Sequence, residues 1–237
     1  MFETTPHPDW MIEMLTFLEP YEERVVNSRI FGDVASGNLS ERLSQGATIS
    51  FYPLVESFPQ FLALNLAKVP GGNSERNRDT RCWLISNIQQ ERLHARWWRQ
   101  LGQTFGLPAE RFGEDITPAP EIEAINNYLW RVCTHGTLSE SIAAANYAVE
   151  GPTGRWTKRV REGFRKHRFV EKIEVTKSGL EWIEAHASYD DAHPIEALEI
   201  IKWFATTREE QEKVRRAAMR ALEYYELALE ACYRLFA

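Results

Sequence analysis

The 237-residue sequence has no run of 18 apolar residues, so nothing in it is expected to span a membrane. Its opening, MFETTPHPDW, lacks the basic stretch followed by an apolar one that marks a secretory signal. Cysteine is scarce. Cys82, Cys133 and Cys232 are widely spaced and odd in number, which argues against a disulfide framework or a zinc knuckle. Reduced core thiols in a cytoplasmic protein are the expectation. Long basic runs are missing as well, and the net charge is −6. The densest cationic stretch holds Arg155, Lys158, Arg159, Arg161, Arg165, Lys166 and Arg168. It reads as a solvated helix face, and no nucleic-acid partner is expected. Strand alternation and internal repeats are absent too.

What is present is helical periodicity. Apolar spacing predicts helices over 9–30 with a kink at Pro20, and over 39–69, where Pro53 and Pro59 should bend or break the segment. Further helices are expected over 75–105 behind an N-cap at Ser74, and over 121–135 and 137–150. Helical signal then resumes to about 167 and returns over 177–192, 194–206 and 207–236. The connections are short, so one all-α bundle spanning 1–237 is more economical than two domains. The amphipathic final helix either completes that bundle or seeds a homodimer.

The chain has six histidines, and three of them fall in two patterned clusters, Glu91-Arg-Leu-His94 and His186-Ala-Ser-Tyr-Asp190-Asp-Ala-His193. At 100° per residue, His186, Asp190 and His193 fall within about 60° of one another on a helix. Glu91 and His94 likewise share a face, and a Glu-x-x-His pair is one way for a bundle to present a carboxylate and an imidazole to a di-iron centre. Mixed His and carboxylate donors suit iron or manganese. Glu150 ends an apolar stretch just before Gly151-Pro152, where a charge is costly to bury unless paired or metal-bound. The bland alternatives are surface decoration at Glu91 and His94, an acidic helix end at Asp190-Asp191 and a turn residue at His193. Three separate segments offering compatible donors favour the metal site. Glu56, between Tyr52 and Phe58, is a further carboxylate, or else a polar residue on the solvated side of a bent helix.

Four stretches together resemble a known family: Phe58-Pro59-Gln-Phe-Leu, Glu91-Arg-Leu-His94-Ala-Arg-Trp-Trp98, Asn146-Tyr-Ala-Val-Glu150-Gly-Pro-Thr-Gly154 and His186 through Leu198. They are similar to the haem-oxygenase-like di-iron oxidases and oxygenases, relatives of haem oxygenase and the TenA thiaminases, over roughly residues 20–235. The resemblance implies a haem-oxygenase-like helical bundle with two Fe(II) ions per chain, O2 as co-substrate and an external electron donor. It implies six ligands, Glu91, His94, Glu150, His186, Asp190 and His193, with Glu56 as a seventh in the manner of some members.

Within the family the Glu-x-x-His form points to the UndA type. That implies oxidative decarboxylation of a medium-chain fatty acid to a terminal alkene, with Phe51, Val55, Phe58, Leu62, Trp130, Ile142 and Ala145 as tunnel residues. The para-aminobenzoate-forming CADD type fits less well, because Asn87 and Val149 stand where it has a carboxylate and a tyrosine. Cys133 reads as a buried core residue, not as a thiaminase nucleophile. Two alternatives stay open. One is a related di-iron oxidase acting on an amino acid or other small metabolite, with Glu56, Arg155 or Lys158 supplying charge. The other is a metal-free helical interaction protein.

Overall fold

Apolar side chains recur every three to four residues along the chain, and the backbone follows them into helix. The computed structural model describes residues 3–113, 115–166, 176–188 and 192–237. These form α1 (Asp9–Val26), α2 (Arg29–Ser36), α3 (Glu41–Lys68), α4 (Glu75–Glu91), α5 (His94–Thr104), α6 (Pro120–His135), α7 (Leu138–Ile142), α8 (Glu150–Lys166), α9 (Glu181–Ser188), α10 (Ala192–Phe204) and α11 (Arg208–Phe236). Single 3-10 turns stand at Ala109–Phe112 and Ser178–Leu180, and a π turn at Ala143–Tyr147 joins α7 to α8. There is no strand among the described residues.

The helix starts are written in the sequence. Ser40 and Ser74 accept hydrogen bonds from the backbone N–H groups of Leu43 and Asn77. Thr137 with Glu140, and Thr207 with Glu210, form reciprocal capping boxes. One contiguous apolar core runs from Met11 to Cys232, so the fold is a single domain. The final helix completes the bundle. It packs against α6, α1 and α3, burying Val214, Ala218, Leu222, Tyr225 and Leu229, and its alanines let neighbouring backbones approach. No helix among the described residues is long and apolar enough to cross a membrane.

Four boundaries differ from expectation. The first predicted helix divides at Asn27–Ser28. α3 runs unbroken through Pro53 and Pro59. An interior proline costs about 3 kcal/mol, but α3 buries Leu43, Phe51, Leu54, Phe58, Phe61 and Leu62 against four neighbours. Each such side chain contributes about 1.5–3 kcal/mol, so packing outweighs both prolines. The predicted 75–105 helix breaks at Arg92–Leu93, between the two members of the Glu-x-x-His pair. Glu150 opens a helix instead of ending one, and Pro152, in the first turn of α8, needs no intrahelical partner for its missing N–H.

Candidate metal centre

Five helices deliver the candidate donors. At the α4–α5 break the backbone stays right-handed but tightens, with Leu93 N–H bonding to the Gln90 carbonyl at 3.1 Å. This leaves Glu91 as the last residue of α4 and His94 as the first of α5, their side chains 2.6 Å apart between Oε2 and Nδ1. Both are buried, at 5% and 1% exposure.

The π turn ahead of α8 closes with Ala148 N–H on the Ala143 carbonyl at 3.0 Å. It puts Asn146 one turn before Glu150, where Asn146 Nδ2 donates to Glu150 Oε1 at 2.6 Å. Glu150 Oε2 lies 3.3 Å from His193 Nδ1 at the start of α10. On α9, His186 Nδ1 donates to the Trp182 carbonyl at 2.8 Å. That bond fixes the tautomer and leaves the lone pair on Nε2. The His186 and His94 rings stand 4.6 Å apart, and Trp182 covers His186 at 3.9 Å.

Burial decides the charges. It pushes the Glu91 carboxyl up to about 7 against the pull of His186 and His193. It pushes His94 down to about 4 and His186 down to about 3, so both are neutral and ligand-competent at pH 7. Burial also raises Glu150, opposed by the hydrogen bond and charge of His193. At His193 burial acts downward, but Glu150 outweighs it and holds the imidazole above its ordinary value. The five groups feel one another electrostatically across all five helices, which makes them one site.

Among the described residues, no three His, Cys, Asp or Glu side chains already stand as metal ligands around a point. The donors are instead closed on one another in two carboxylate–imidazole pairs. Their chemistry fits a metal nevertheless. Two ligand atoms at right angles on an ion, each about 2.1 Å from it, stand about 3 Å apart. The N–O separations of 2.6 and 3.3 Å bracket that value, so an ion could replace the shared proton. Three imidazoles and two carboxylates are the donor mixture that suits iron.

A cavity of about 130 Å³ opens beside the cluster, with Glu91, His94, Glu150 and His186 in its wall. Phe31, Phe51, Trp98, Trp156, Trp182 and Tyr225 supply its aromatic lining. No Lys or Arg lines it among the described residues.

Of the predicted tunnel residues, Phe51, Val55 and Phe58 line the cavity, whereas Leu62, Trp130, Ile142 and Ala145 do not. Asp190 lies outside the described residues. Glu56 is exposed, accepts a hydrogen bond from Tyr52 at 3.0 Å, and does not join the cluster. Arg155, considered for a charged substrate, is held by Glu22 and Glu23 at 40% side-chain exposure and does not line the cavity. Cys133 is fully buried, pushed up to about 12 by burial, and outside the cavity, so it is not placed as a nucleophile. The sequence reading gave no role at the site to Asn87, noted only as replacing a carboxylate, to Asn146, noted only within a motif, or to Trp182 and Glu196. Their only sequence signal is spacing, each lying three or four residues from a donor.

A family model described as "Iron-containing redox enzyme" matches residues 46–226. The chain belongs to that family. A TenA homologue from Pseudomonas syringae pv. tomato is 31% identical over 99% of both chains, with a TM-score of 0.89. A domain of unknown function with a haem-oxygenase-like fold, from Shewanella denitrificans, is 15% identical over 97% of this chain and 94% of its own, with a TM-score of 0.74. A proposed TenA-like thiaminase from Sulfolobus solfataricus is 11% identical over 98% of both chains, with a TM-score of 0.68. The last two show the fold alone. No curated protein matches the chain.

These relatives overturn the expectation of fatty-acid decarboxylation. The similar structures are TenA-like, and none points to a fatty acid or an alkene. The physical reason is that the motifs carrying the resemblance specify metal donors, which constrain the centre and say nothing of the substrate. The cavity itself is close to the ~150 Å³ that accommodates benzene.

Proposed function

We propose that the protein is a non-haem iron redox enzyme that binds two Fe(II) ions between α4, α5, α8, α9 and α10 and uses O2 to oxidise a small apolar substrate. The observation that carries this reading is that Glu91, His94, Glu150 and His186 stand on the wall of one apolar cavity, with His193 paired to Glu150 beside them. Asp190 would be the sixth donor by resemblance.

When bound, iron would supply the redox chemistry and the oxygen reactivity. The chain's own residues do the rest. Trp182 fixes the His186 tautomer through its carbonyl, and Asn146 holds one oxygen of Glu150. The aromatic wall excludes water and takes the apolar body of the substrate. With no Lys or Arg in that wall among the described residues, a neutral substrate body is favoured over a charged one.

The test is anaerobic reconstitution with Fe(II), followed by iron analysis and O2 uptake. Two irons per chain and O2 uptake that both fall in His186→Ala support the reading. Full-length protein that takes up no stoichiometric iron sinks it and leaves the metal-free interaction protein in its place.

A further inference from the structure

Two asparagines occupy equivalent places beside the two site glutamates. Asn87 lies four residues before Glu91, and Asn146 four residues before Glu150. Both are buried, at 1% and 0% exposure. Each has its amide nitrogen engaged, Asn87 Nδ2 on the Trp83 carbonyl at 2.8 Å and Asn146 Nδ2 on Glu150 Oε1 at 2.6 Å. Those contacts fix the orientation of both amides, since a flipped amide would set oxygen against oxygen. In both, Oδ1 is buried with no hydrogen-bond partner among the described residues.

Asn87 also lies on the face of α4 that carries Glu91. Trp83, Asn87 and Glu91 follow one another at four-residue spacing and are all buried on one face of α4. Trp83 meets the His193 ring at 6.4 Å and donates Nε1–H to Glu196 of α10 at 2.8 Å, while Glu91 is pulled electrostatically by His193. Asn87 therefore lies between two residues that both address His193.

A buried acceptor left unmet destabilises a fold, so two of them in matching positions require an explanation. Their common need is a hydrogen-bond donor that the described residues do not supply. We infer that Asn87 and Asn146 are a matched pair of positioning residues, whose side-chain oxygens accept hydrogen bonds from water held at the centre. Asn146 additionally holds the rotamer of Glu150. The inference rests on the iron reading above, because the water is that of the metal site.

The experiment is an anaerobic Co(II) titration of the full chain, read by visible absorption, with apo-protein melting measured in parallel. N87L replaces the amide with an apolar group of similar size. The apo variant is expected to melt at or above the wild-type temperature, because the unmet acceptor is gone, while Co(II) binds about tenfold or more weakly. N146A is expected to weaken binding by a similar factor and to shift the Co(II) bands. N87D keeps an acceptor oxygen and is expected to bind at least as tightly as wild type. Wild type that binds Co(II), with N87L and N146A within twofold of it and bands unchanged, overturns the pair and leaves the iron reading standing. Wild type that binds none overturns both. Should N87L fail to fold, N87D decides: retained binding supports the assignment and lost binding overturns it.

Discussion

The two ends of α10 bury charge in opposite ways. Toward the C-terminal end, Glu199 and Lys202 form an ion pair with side chains 1% and 8% exposed. Thr5 gives Glu199 its N–H and its hydroxyl, each at 2.9 Å, and its carbonyl accepts from Lys202 at 2.8 Å. Burial acts to raise Glu199, but Lys202 and Thr5 outweigh it and hold the carboxyl below its ordinary value. Every charge there has its complement. At the N-terminal end, Glu150 and His193 stand beside Glu91, His94 and His186, and burial raises both carboxyls and suppresses two of the imidazoles. The structural ion pair lowers its carboxyl, whereas the cluster beside the cavity holds both of its carboxyls above their ordinary values. Strongly perturbed groups gathered at a cavity mark a candidate functional site, and under the proposed reading a bound cation would supply the complement there.

The largest effect expected from this comparison comes from breaking the satisfied pair. Lys202→Met leaves Glu199 buried without its cation and should lower stability by about 3–5 kcal/mol in urea denaturation. Iron uptake per folded chain should be unchanged, because the pair lies about two turns of α10 from His193. A simultaneous loss of iron would mean that the two ends are coupled.

Next comes acid. The unfolded chain binds protons at His94 and His186 near pH 6.5, but the folded chain refuses them until about 4 and about 3. Apo-protein stability should therefore fall as the pH drops below about 6.5, by on the order of 2–3 kcal/mol. Glu91 acts in the opposite sense between 4.5 and about 7, because its folded form holds the proton more tightly. Urea midpoints measured against pH, for wild type and H186Q, check this. The variant should lose part of the acid sensitivity, and an identical profile would contradict the assignment of the proton refusal to His186.

Glu91→Gln sharpens the contrast from the other side. At pH 8 it removes a carboxylate held above its ordinary pKa, so the apo protein should gain on the order of 1–2 kcal/mol while losing metal uptake. A structural carboxylate would show the reverse, as Glu199→Gln should. The smallest effect is expected at Glu56, an exposed acceptor for Tyr52. Glu56→Ala should change stability by about 0.5 kcal/mol and leave Fe(II) stoichiometry as in wild type. Reduced stoichiometry would restore it as a ligand.

Much of this was legible in the chain. Helical periodicity and the Ser74 cap located most elements, because both signals are local. The candidate donors Glu91, His94, Glu150, His186 and His193 were singled out by residue type and spacing, and the structure places those five near one another. Other features were not legible, for identifiable reasons. The continuity of α3 through two prolines depends on partners far away in sequence. The break at Arg92–Leu93 and the π turn at Ala143–Tyr147 are carried by no Gly or Pro signal of their own. Asn87 was noted as replacing a carboxylate and Asn146 as part of a motif, but their unmet oxygens were not legible, since an unmet acceptor exists only once a helix is buried.

By itself, the sequence determined an all-α chain, its caps and the chemical identity of its donors, because periodicity and residue type are set within a few residues. Only the tertiary structure decided that donors from separate helices share one cavity wall. It also decided that burial suppresses protonation of two imidazoles and raises both carboxyls, because desolvation and long-range proximity arise only when the bundle closes.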